Sequence, residues 1–200
     1  MTRTIGIFVF DDVEVLDFAG PYEVFTCATR VSGKIAPDAP PPFRVKTIGQ
    51  TPAMLRARAG LSVMPEAHFA DAGKIDVLIV PGGVVTAELA KPAVAQWIAA
   101  RADACELVAS VCTGAFLLAQ AGLLDGQDVT THWADIDDLR AMFPQLHVQP
   151  QRRWIDNGRT VTSGGISAGM DMSLHLVERL AGRELALRTA RQMEYDWNEA

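Results

Sequence analysis

ASVCTGAFLLAQAGLLDG, residues 109–126, reads as an apolar strand that stops at a sharp turn and continues as a helix. Cys112 stands at the junction. Ser110 and Gly114 lie two residues to either side, giving the small–x–nucleophile–x–small form of a nucleophile elbow, whose small neighbours avoid a backbone clash. A helix beginning near Thr113 aims free N–H groups and a positive dipole end at the thiol, which favours thiolate near neutral pH. Cys105, early in the same strand, and Cys27, in a helical pattern, read instead as small buried hydrophobes. The three cysteines show neither CxxC nor Cys/His spacing. They imply a reducing cytoplasm and neither a disulfide framework nor a zinc site.

Working outward, strands are expected at 3–10, 43–49, 75–80, 105–111, 127–131 and 159–163, several of them continuous apolar runs of the kind buried on both faces of a parallel sheet. Helical patterns fall between them at 20–30, 86–102, 113–121, 134–142, 167–181 and 183–195. Alternating strands and helices predict an α/β fold, a doubly wound and mostly parallel sheet of flavodoxin-like type. At 200 residues, with 49% hydrophobic and 21% charged, the chain reads as one domain over 1–200. No apolar run reaches the roughly 18 residues of a membrane span. The N-terminus lacks a signal-peptide cleavage site and reads as the first strand. A net charge of −6 argues against a nucleic-acid surface.

Ligands of doubly wound sheets bind at the carboxyl ends of the strands. Three segments fall there: DFAGP (17–21), PGG (81–83) and CTG (112–114). Asp17 follows an apolar stretch, where desolvation raises a carboxyl pKa into the acid/base range; its other reading is the N-cap of the helix at 20–30. Amides of Gly82, Gly83, Thr113 and Gly114 are candidates to receive developing negative charge. A thiol and a carboxyl sharing one small site are expected to titrate as a coupled pair with one mobile proton. His132 ends a strand on the same side and is either a pocket residue or a hydrogen-bonded structural histidine. His175, mid-helix, reads as structural. The segment SGGISAG (163–169) reads as tight strand-to-helix packing, and 31–42 as a solvated connection or a lid. Neither G-x-G-x-x-G nor GxxxxGK[ST] occurs. No cofactor and no metal are expected.

The stretches IGIFVFDDVEVLDFAGPYEVF, VLIVPGG, ASVCTGAFLLAQAGLLDG, VTTHWAD and TSGGISAGMDMSLHLVE together resemble the DJ-1/PfpI superfamily, which has the class I glutamine-amidotransferase-like fold, and within it the isonitrile hydratase branch. The resemblance implies Cys112 as nucleophile, Asp17 as its carboxylate partner, Thr113 as a further hydroxyl and amide donor, Gly83 on the oxyanion side, and a homodimer. DJ-1-like and protease-like members usually carry Glu where this chain has Asp17, and protease-like members tend to have His where it has Thr113. The function implied is hydration of a small-molecule isonitrile to an N-substituted formamide. The alternatives are a ligand-sensing domain like those of AraC-type regulators, or an enzyme of reactive carbonyls. A full regulator is expected to carry a helix-turn-helix after this region, and the sequence up to RQMEYDWNEA leaves no room for one.

Overall fold

The computed structural model describes residues 1–199. In chain order its elements are β1 (Arg3–Phe8), α1 (Val15–Ile35), β2 (Phe43–Gly49), β3 (Leu55–Arg56), β4 (Ser62–Val63), β5 (Ala67–His68), β6 (Val77–Val80), α2 (Thr86–Leu89) and α3 (Pro92–Ala104). There follow β7 (Leu107–Val111), α4 (Gly114–Gln120), β8 (Asp128–Val129), α5 (Ile136–Met142), β9 (His147–Val148), β10 (Trp154–Asp156), β11 (Thr160–Ser163), α6 (Ala168–Ala181) and α7 (Arg183–Gln192).

Seven strands form the main sheet in the order β10-β11-β7-β6-β1-β2-β5. All neighbours pair in parallel except β10, which runs antiparallel to β11 at one edge. The central strands are apolar on both sides: Ile5, Ile7, Val77, Leu78, Ile79, Val80, Ala109 and Val111 are fully buried. The chain leaves β1 toward β2 and later leaves β6 toward β7, in opposite directions across the sheet. Right-handed crossovers therefore put α1 and α3 on opposite faces. Helices α1, α6 and α7 pack together on one face, and α2, α3 and α4 against one another on the other. The fold is the expected mostly parallel, doubly wound α/β architecture.

The differences from the sequence expectation are local and have physical causes. Helix α1 begins at Val15, five residues early, so DFAGP is helix and not a loop. Pro21 lies inside it, with no N–H to return to the Asp17 carbonyl, which makes the segment read as a turn. The pattern at 86–102 is two helices, broken at Lys91 just before Pro92, which starts α3. The strand expected at 127–131 is only two residues long and pairs with β9 outside the main sheet. The β3–β4 hairpin and the short edge strands β5 and β10 carry no usable alternation. Helix α7 ends at Gln192. The 36–42 connection feeds β2, with Arg3 N–H donating to the Pro42 carbonyl at 2.9 Å. That is the amino end of the sheet, opposite Cys112, so this segment is not a lid over the elbow.

Candidate active site

Strand β7 ends at Val111 and helix α4 starts at Gly114, leaving two residues to reverse the chain. Cys112 takes the turn in the left-handed region, φ +57°, a conformation that costs a non-glycine residue about 1–2 kcal/mol. Neighbours over-determine it. The Cys112 N–H donates to the Ser163 and Gly164 carbonyls, both at 3.2 Å, and the Cys112 carbonyl accepts from Thr131 Oγ1 at 2.9 Å. Gly114 is required by close approach: a β-carbon there would collide with the Val80 carbonyl oxygen.

Asp17 lies in the first turn of α1 and is fully buried. It is not the N-cap; Glu14 holds that position, without a side-chain cap bond. Asp17 Oδ2 accepts from the Gly82 N–H at 3.1 Å, while Oδ1 is buried with no well-aligned donor. The Cys112 thiol lies against this carboxyl, and the Ile166 amide faces it. Burial is the largest influence on both acids. It lifts Asp17 to about 7, against the Gly82, Cys112 and Ile166 hydrogen bonds that pull it down, with nearby Glu14 adding to the rise. Burial first, then the negative charge of Asp17, push the Cys112 thiol up to about 12, and the Thr113 amide offsets this only in part. Both influences work against the partial thiolate expected near neutral pH and favour the proton resting on sulfur within the coupled pair. Helix α4 has only seven residues, and its dipole end is too weak to offset desolvation.

The PGG turn is committed differently from its expected role. The Gly82 amide holds Asp17. The Gly83 amide donates to Thr113 Oγ1 at 2.9 Å, and the same hydroxyl donates to the Gly83 carbonyl at 2.9 Å. Gly83, at φ +140°, is pressed against residues 12–14, and a β-carbon there would lie 2.7 Å from the Glu14 nitrogen. In this arrangement both amides brace the site instead of facing an incoming oxyanion. The Thr113 amide is the donor directed at the sulfur.

A cavity of about 170 Å³ opens above Cys112, with Thr113, His132, Asp135, Arg58, Glu14 and Ile166 among its walls. His132 thus reaches the cavity; its Nδ1 lies 3.0 Å from Asp135 Oδ2. Arg58, from the segment between β3 and β4, donates to Glu14 Oε2 at 3.2 Å. Ile166 adopts φ +53°, an outlier for a β-branched side chain, and is braced from the next residue: Arg153 donates to Ser167 Oγ at 3.0 Å and to Asp171 Oδ2 at 2.5 Å. The packing reading of SGGISAG holds at Gly169, which sits against Val111, but Ile166 belongs to the site. Asp135 was discoverable three residues beyond His132. Arg58, Glu14 and Ile166 had no such signal. His175 is structural, bonded to Asp156 at 2.6 Å and stacked on Trp154.

The DJ-1/PfpI family profile matches residues 3–179. The chain belongs to the DJ-1/PfpI family. Among curated members it is 33% identical over 197 residues to the isonitrile hydratase of Pseudomonas putida, spanning 98% of this chain and 79% of that one. It is 31% identical over 194 residues to the HTH-type transcriptional regulator GbdR of Pseudomonas aeruginosa, spanning 97% of this chain but only 51% of the regulator; the chain thus covers about half the length of that relative. Among solved structures, a THiJ/PfpI family protein from Pseudomonas syringae superposes with a TM-score of 0.85 at 25% identity, over 99% of this chain and 77% of the other.

Proposed function

We propose that this family member hydrates isonitriles to N-substituted formamides, with Cys112 as nucleophile and Asp17 as proton shuttle. The observation that carries the reading is the closed pair itself: a thiol on a strained elbow against a buried carboxyl lifted to about 7. At and above that pH the pair holds one proton, resting on sulfur. Transfer to Asp17 generates thiolate and carboxylic acid together. The sulfur then bonds to the terminal isonitrile carbon while Asp17 returns the proton to that carbon, giving a thioimidate, R–N=CH–S–Cys. Asp17, again ionised, draws a proton from water as the water oxygen adds to the same carbon. Asp17 passes that proton to nitrogen, the C–S bond breaks as the remaining hydroxyl proton moves through Asp17 to sulfur, and R–NH–CHO leaves. The cycle consumes one water, and none of its steps calls on a cofactor. The test is turnover of a small isonitrile by purified protein, followed by formamide release. Formamide formed at the same rate by Cys112→Ala refutes the reading.

A second reading draws on the regulator relative. In it the same cavity binds a small ligand without turnover, and the chain serves as a sensing domain. Saturable isonitrile binding with no formamide formed, in a protein whose Cys112 is intact, favours that reading.

A further inference from the structure

The cavity above Cys112 is too small for most substrates. At roughly 30 Å³ per water-sized group, its 170 Å³ holds on the order of five such groups: a reacting carbon, its neighbour and the first atoms of a substituent. A longer molecule extends beyond the cavity, and one side of the cavity adjoins a second space. A second groove, of about 620 Å³, shares Gly83, Thr113 and Asp135 with the cavity and runs between α2 and α5. Val84, Leu89, Phe116 and Met142 give it an apolar lining. Val84 and Met142, both lining this groove, are 47% and 53% exposed, so an apolar group lying there would remove their side chains from water. Its only charged lining residues, among those described, are Asp135 and Asp138; neither lysine nor arginine borders it.

We infer that the α2–α5 groove is the subsite for the substituent of the molecule whose reacting atom lies over Cys112, and that it accepts apolar, neutral or cationic substituents and rejects anionic ones. This rests on the reading of Cys112 as nucleophile. Each fully buried methylene is worth about three- to fourfold in affinity, so a six-carbon chain in a partly open groove gains at least tenfold. An anionic end loses a similar factor relative to the hexyl chain: at low salt it is repelled by partly buried Asp135 and exposed Asp138, and it forfeits the apolar burial of the hexyl terminus.

The test does not require turnover. N-hexyl-, N-(6-aminohexyl)- and N-(5-carboxypentyl)iodoacetamide share one reactive head, and each alkylates a thiol with loss of iodide. Their rates at Cys112, read by mass spectrometry and normalised to glutathione, are compared with that of iodoacetamide. The expected result is saturable alkylation at least tenfold faster with the hexyl and aminohexyl reagents than with iodoacetamide, and at least tenfold slower with the carboxypentyl than with the hexyl reagent. Met142→Lys reduces the hexyl preference, and Asp138→Lys narrows the discrimination against the carboxylate. Equal normalised rates across the series, or preferences that neither substitution moves, overturn the subsite. Preferences that persist in a protein with no isonitrile turnover retain the subsite and sink the hydratase reading; turnover without them does the reverse.

Discussion

Strand β7 has a cysteine two residues before its first residue and another just after its last, and the two differ less in burial than in shape. Cys105 is 6% exposed and Cys112 is 7%. Desolvation is the largest influence on each, lifting Cys105 to about 11 and Cys112 to about 12. Acidity therefore does not tell the structural thiol from the candidate nucleophile. Cys105 has ordinary extended backbone, φ −82° and ψ 146°, and its thiol donates to the Ile75 carbonyl at 3.4 Å. Cys112 is held at positive φ, opens on a cavity, and faces a carboxyl able to take its proton. The candidate nucleophile is marked by conformational strain and a proton acceptor, while its raised pKa points the other way.

The sharpest way to break this contrast is to delete each thiol. Cys112→Ala is expected to bring isonitrile turnover down to the uncatalysed background, and Cys105→Ala to leave kcat/KM within about twofold, since the latter touches only the amino end of the sheet. Comparable losses in both, measured by formamide release, would mean the strand's integrity and not the elbow's chemistry was being read.

Next in size is the carboxyl. Asp17→Asn preserves shape but cannot carry the proton, and is expected to cost about 100-fold or more in kcat/KM. In the wild type, kcat/KM is expected to rise with pH up to about 7 and then level, because the singly protonated pair is the working form. The variant should lack that step. The stability effect has the opposite sign. A carboxyl lifted from 3.8 to about 7 on folding leaves the folded state holding the extra proton between those pH values, so stability falls as pH rises through that window. Asn in its place is expected to gain on the order of 4 kcal/mol relative to wild type above pH 7, with the gain vanishing below pH 4. Denaturant titrations of both proteins at pH 4 and pH 8 measure it.

Alkylation sharpens the comparison at the level of the thiol. Among the three cysteines Cys112 alone borders the cavity, so brief iodoacetamide treatment is expected to modify it first. With so raised a pKa the rate is slow at pH 7 and climbs about tenfold per pH unit. Removing the facing charge in Asp17→Asn should speed alkylation at fixed pH by roughly tenfold. Prior labelling of Cys27 or Cys105 would contradict the assignment.

The smallest expected effect concerns strain. Cys112→Gly relieves the left-handed backbone while losing a small buried side chain and loosening the unfolded chain, and should change stability by less than about 1 kcal/mol. Cys105→Gly has no strain to relieve and should cost about 2 kcal/mol. Thermal unfolding of the two variants side by side reads the difference.

Much of this molecule was legible as pattern. The runs IGIF, VLIV and LVASV announce strands buried on both faces, the intervening periodicities announce helices, and their alternation dictates the doubly wound sheet. The elbow was legible too, because small residues two positions from Cys112 record a steric requirement that is local. Asp17 and the PGG turn could be placed at the same sheet edge because parallel topology collects every strand's carboxyl end on one side.

What the sequence alone did not determine is what those groups do to one another. Which amides remain available at the PGG turn depends on Asp17 and Thr113 reaching across from other elements. Ile166 at positive φ, Arg58 over the cavity and the Arg153–Ser167 brace arise from contacts between distant segments that leave no spacing to read. The direction in which the Cys112 thiol shifts is not written in local cues for the same reason. A helix N-terminus is written in the chain, but desolvation is a property of everything that closes around it, and here desolvation outweighs the dipole.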